Sequence, residues 1–120
     1  MNKLLCIVSA SPFAGSQVVE HLEAAMVAAA FEIDVTVLFI DEGVNNLQPG
    51  QNGTNYGLRA PGNMLAALSM YEIEKVFACA DALAHYDLDP ADAICPVQPL
   101  GHSSQAALIS QQDVVLRGGQ

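Results

Sequence analysis

Basic residues are scarce in this chain: four Lys and Arg stand against thirteen Asp and Glu, giving a formal charge of −9. Gripping a phosphate backbone takes clustered cations, and Lys3, Arg59, Lys75 and Arg117 are scattered. Direct nucleic-acid binding is therefore excluded as the expected activity. Charge of either sign is also thin, 14% of residues against 52% hydrophobic in a 120-residue chain. One small domain with so little charge leaves apolar surface for a partner to cover. Three cysteines without a CxxC pair make neither a disulfide framework nor a zinc site. Reduced thiols in the cytoplasm are the expectation. The longest apolar stretch, Ala24 to Phe31, falls far short of a membrane span. No small-residue cleavage site follows the Met1-Asn2-Lys3 start, so no secretory leader is expected.

What is present alternates between two patterns. Lys3 to Ala10 and Asp34 to Ile40 are continuous apolar runs, expected as buried strands. Between them, Gln17 to Phe31 repeats Val18, Val19, Leu22, Ala25, Met26 and Ala29 at helical spacing, with Ser16 as its expected cap. Asp41 to Gly62, rich in glycine and asparagine, predicts a long excursion without an element of its own. A short helix is expected over 63–71, a strand over Ile73–Cys79 and a brief helix to Tyr86. Ile94 to Leu100 is a candidate strand that Pro96 and Pro99 confine to an edge or make partly irregular, because proline cannot donate to a ladder. Ser103–Ser110 and Asp113–Arg117 complete the alternation as helix and strand. Buried strands joined by helices imply one three-layer α/β/α domain over residues 1–120, with a five-stranded, mainly parallel sheet.

The residue best placed for chemistry is Cys79, at the carboxyl end of a strand and the start of a helix. In open α/β sheets that rim is where ligands bind. A helix start favours thiolate, the reactive form, while Asp81 disfavours a second negative charge nearby. The alternative is a small buried hydrophobe, the commoner fate of a free cysteine. Cys6, inside the first strand, and Cys95, beside Pro96, have the character of structural thiols. His21 is expected on the surface between Glu20 and Glu23, and His102 in an exposed loop. His85 reaches the rim only if its helix is short or bent. Asp41 and Glu42 stand at the end of the second strand, able to bind a cation or to be merely solvated while Gly43 turns the chain. The small-residue loop Ser9–Ser16 resembles a phosphate cradle but lacks the GxGxxG spacing and the Walker lysine. No cofactor is expected.

Taken in order, Lys3–Ser9 with Pro12 and Gly15-Ser16, Ala30–Val44, Leu47 with Pro49-Gly50-Gln51, Met70–Glu74, Val76–Leu83 and Asp113–Arg117 carry a resemblance. The chain resembles the DsrE/DsrF-like sulfur-relay family, in its TusC/DsrF branch. Asn45-Asn46, where relatives tend to carry an aromatic, and the Gly118-Gly119-Gln120 tail depart from that pattern. The resemblance implies a cytoplasmic heterohexamer with TusB/DsrH-like and TusD/DsrE-like subunits. Such a complex takes persulfide sulfur from a donor protein and yields it to an acceptor, without metal or organic cofactor. It implies transfer toward 2-thiouridine at the tRNA wobble position or, in the DsrF alternative, cytoplasmic sulfur oxidation. The family's clearest sulfur acceptor belongs to the TusD/DsrE-type subunit. Cys79 falls at the corresponding place, so this chain either carries sulfur there or serves as a non-catalytic subunit.

Overall fold

The computed structural model describes residues 2–11, 17–48, 65 and 67–117. Five strands, β1 (Lys3–Val8), β2 (Asp34–Phe39), β3 (Lys75–Cys79), β4 (Gln98–Leu100) and β5 (Val114–Arg117), form one sheet in the order β4-β3-β2-β1-β5. Every neighbouring pair is parallel. Among the described residues, three α-helices accompany them: α1 (Gln17–Ala30), α2 (Ala80–His85) and α3 (His102–Ser110).

The topology explains which face each helix covers. From β1 to β4 the chain steps steadily toward one edge, and right-handed crossovers then put α1 and α2 on one face. The step from β4 to β5 returns to the far edge, so the same handedness sends α3 to the opposite face. Side-chain alternation matches. Leu4, Cys6 and Val8 of β1, with Val35, Val37 and Phe39 of β2, pack with Val18, Leu22 and Ala25 of α1 and Leu83 of α2. Leu5, Ile7 and Leu38 face the other way, toward Leu108 of α3. The two outer layers are unequal, since the first face carries nearly all of the buried cluster. Fully burying a side chain such as Leu22 stabilises by about 1.5–3 kcal/mol.

Most expected elements form within a few residues of their predicted bounds. The clearest correction falls on the Asp41–Gly62 excursion. Its first part, Asp41–Leu47, is a 3-10 helix with Val44, Asn46 and Leu47 buried. Val44 and Leu47 are three apart, the 3-10 repeat, so both reach the core from a segment whose composition signals a loop. Gly43 does not turn the chain by a left-handed backbone. A Cβ at that position would stand 2.0 Å from the Val8 carbonyl oxygen, so only glycine allows the close approach. Of the helix expected over 63–71, residues 63, 64 and 66 lie outside the described residues, Leu65 is helical, and Leu68–Tyr71 forms a 3-10 turn. Ile94–Val97 is irregular and only Gln98–Leu100 extends, as an edge strand. Residues 49–64, and Ser16 with the rest of the loop after Ser11, lie outside the described residues.

Candidate functional site

Cys79 is the last residue of β3 and the N-terminal cap position of α2, with an extended backbone at φ −64° and ψ 121°. Extended geometry continues the alternation of β3, so its side chain lies on the face of Phe77, the face that α3 covers. It is 5% exposed. Leu100 of β4 stands opposite it in register. Two residues beyond each of these, the paired strands have become helices, and there Asp81 and His102 meet. His102 Nε2 lies 2.9 Å from Asp81 Oδ2, tying the first turn of α2 to the first turn of α3. Gln105, buried one turn along α3, donates from Nε2 to the Leu100 carbonyl at 2.9 Å. The junctions at Cys79 and Leu100 are thus tied together on the solvent side by an exposed pair, and the Leu100 junction is held from within by an amide.

This His102–Asp81 contact is what the sequence did not reveal. A loop histidine was expected, whereas His102 opens α3 and stays exposed while bonded to Asp81. The signal was available only through pairing: once Cys79 is set opposite Leu100, residues 81 and 102 occupy equivalent places past the strand ends. His85 is not part of the site. It closes α2 at the end away from Cys79, is exposed, and stacks edge-on against the Tyr86 ring at 4.7 Å. His21 is corrected from surface to half-buried. It falls three residues after Val18 and four before Ala25, both buried, and its Nε2 is enclosed without a partner among the described residues.

The other thiols are set apart by burial. Cys6 is fully buried, its Sγ 3.8 Å from the His21 carbonyl, and burial pushes its pKa up to about 12. Burial raises Cys95 to about 11. Cys95 lines a cavity of about 340 Å³ with Leu65, Leu68, Ile73, Val76 and Pro96, toward the start of β3 and away from Cys79. Both are held as thiols, the unreactive form.

Elsewhere on the rim, Asp41 and Glu42 are exposed in the first turn of the 3-10 helix. Among the described residues no group of three His, Cys, Asp or Glu is placed to hold a metal ion. The 3-10 helix sits over the end of β1: Asn46 Nδ2 donates to the carbonyls of Ala10 and Gly43, each at 2.9 Å. No described helix is long and apolar enough to cross a membrane.

Comparison with known proteins agrees with this architecture. The fold matches the crystal structure of the ychN protein from Escherichia coli, with a TM-score of 0.84 over 98% of this chain and 99% of that one, at 19% identity. In sequence, the chain is 32% identical over 100 residues to a TusC homolog of Vibrio parahaemolyticus, covering 83% of this chain and 85% of that protein. It is 29% identical over 118 residues to Escherichia coli TusC, covering 98% and 99% of the two chains. The DsrE/DsrF-like family model matches residues 2–117. The chain belongs to the DsrE/DsrF-like family, in its TusC branch.

Proposed function

We propose that this chain is the TusC/DsrF-type subunit of a cytoplasmic heterohexameric sulfur relay, built with TusB-like and TusD-like partners, and that Cys79 takes part in passing persulfide sulfur. Placement of Cys79 at the strand-end rim, clasped by Asp81 and His102, is the observation that supports a role for this thiol. The chemistry needs nothing more than a thiolate. Cys79 attacks the terminal sulfur of a donor persulfide, a new S–S bond forms, the donor's own S–S bond breaks, and the donor leaves as thiolate. Transfer onward repeats the exchange with an acceptor cysteine, with no net oxidation. The route favoured is toward tRNA 2-thiouridine, because the sequence relatives bear the TusC name.

The near-complete burial of Cys79 favours a second reading, in which this chain builds the complex and a TusD-like partner alone carries sulfur. Mass spectrometry of the co-purified complex after incubation with a persulfide donor separates the two. The sulfur-carrying reading expects one added sulfur atom on Cys79 before Cys6 or Cys95, and its loss in Cys79→Ser with assembly intact. Sulfur found only on the TusD-like partner, with normal relay by Cys79→Ser, establishes the structural reading instead.

A further inference from the structure

The end of the sheet opposite Cys79 carries the most exposed apolar side chains of the described residues. Met70 is 82% exposed and Phe31 77%, with Val27 and Tyr71 exposed beside them. Val27 and Phe31 are one helical turn apart at the end of α1, and Met70 and Tyr71 belong to the 3-10 turn that packs against that helix. The α1 end and this turn share one open pocket of about 600 Å³, lined also by Glu32, Asp34 and Glu72. Asp34 is neutralised by Lys75 at 3.0 Å. Glu32 and Glu72 hold backbone angles of φ 67° and 63°, a conformation that glycine or asparagine adopts at least cost.

We propose that this patch is the docking face for a non-identical subunit that brings lysine or arginine around an apolar contact. Charge decides the occupant. A second copy of this chain, with a formal charge of −9, would set acid against acid. A partner with a basic rim pairs Glu32 and Glu72 while its apolar centre covers Phe31 and Met70. Because β2 and β3 are parallel, the start of β2 that borders the pocket lies at the opposite end from Cys79. Docking there leaves the thiol rim free for a second protein.

The inference rests on the reading of this chain as a member of a hetero-assembly. The test uses the TusB-type and TusD-type chains of the same organism, with affinity measured against salt for the full chain and two double variants. Phe31→Ser with Met70→Ser removes apolar contact at solvent-facing sites and is expected to weaken association at least tenfold. Glu32→Gly with Glu72→Gly removes charge where glycine fits the backbone better. It is expected to weaken association several-fold and flatten its salt dependence, while the melting temperature stays level or rises. Loss in that variant therefore cannot be ascribed to unfolding. Wild-type association with both variants binding equally well overturns the inference and leaves the assembly reading standing. Loss in the serine pair alone overturns the basic-partner assignment. A wild-type chain that forms homodimers broken by the serine pair assigns the patch to a second copy instead. No association of the wild type with either chain removes the assembly reading, and the inference falls with it.

Discussion

Replacing Gly43 with alanine tests the seat of the 3-10 helix on the sheet. The added Cβ would meet Val8 oxygen at 2.0 Å and Val8 carbon at 2.7 Å, both backbone atoms. Neither can rotate away as a side chain does. The Val8 oxygen also accepts from the Ile40 amide at 3.0 Å, so the carbonyl is held from the β2 side. The 3-10 helix must therefore lift by roughly 1.5 Å to restore ordinary contact at 3.4 Å or more. Lifting strains the donation from the buried Asn46 amide to the Ala10 carbonyl and loosens Val44 and Leu47 in the core. It also pulls on the Leu47 carbonyl, which accepts from the Ile94 amide at 2.9 Å.

Overpacking alone costs about 1–3 kcal/mol, and a weakened buried hydrogen bond adds about 1 kcal/mol. A total near 3 kcal/mol lowers the melting temperature of a domain this size by roughly 10 °C. Thermal unfolding followed by circular dichroism measures it. Gly101→Ser is the contrast, because a Cβ there meets nothing within 4 Å. Gly101 caps α3 in extended geometry, so a serine hydroxyl should stabilise by a few tenths of a kcal/mol. If Gly43→Ala melts within about 2 °C of wild type, as the contrast variant should, the close approach does not govern this seat.

Alkaline pH should destabilise the fold through its two shielded thiols. Their folded pKa values, about 12 for Cys6 and about 11 for Cys95, lie above the ordinary value of 9.0, so the unfolded chain loses these protons first. Their contribution is intact below pH 9.0 and is lost as pH rises toward those values, on the order of 1 kcal/mol per pH unit per thiol. Urea midpoints from pH 8 upward measure the slope, which should shrink in Cys6→Ala; an unchanged slope would contradict the assignment. Asp81→Asn should leave thermal stability within about 0.5 kcal/mol, because the pair it breaks is exposed on both sides. A larger loss would show the clasp to be structural. The isolated chain should not retard tRNA in a gel shift at physiological salt, given four basic residues in 120. Retention that weakens steeply with salt would show a basic surface.

What could be read from the sequence depended on whether a signal was local. Continuous apolar runs such as Leu4–Val8 and Val35–Phe39 announce two-sided burial, and the helical repeat of Val18, Leu22 and Ala25 announces the face of α1. Gln98–Leu100 was legible as an edge because proline cannot donate to a ladder. Two kinds of signal were not local. The 3-10 helix is seated by residues far from it in sequence, Gly43 against Val8 and Asn46 on Ala10, while its Asn and Gly content argues for a loop. The Asp81–His102 pair arises only when β3 and β4 lie side by side, and neither residue has a neighbour in sequence that hints at the other. Strand pairing thus decides what surrounds Cys79. The thiol's position could be found by reading along the chain, because strand and helix propensities meet there. Its surroundings could not, because they are supplied by a strand that follows a turn and an irregular stretch. The same division applies to the opposite end of the sheet. Phe31 and Met70 look individually like ordinary core residues, and only the packing of the 3-10 turn against α1 leaves both in solvent beside Glu32 and Glu72. Surfaces that select a partner are assembled across the fold, so composition can announce that a partner is needed without saying where it binds.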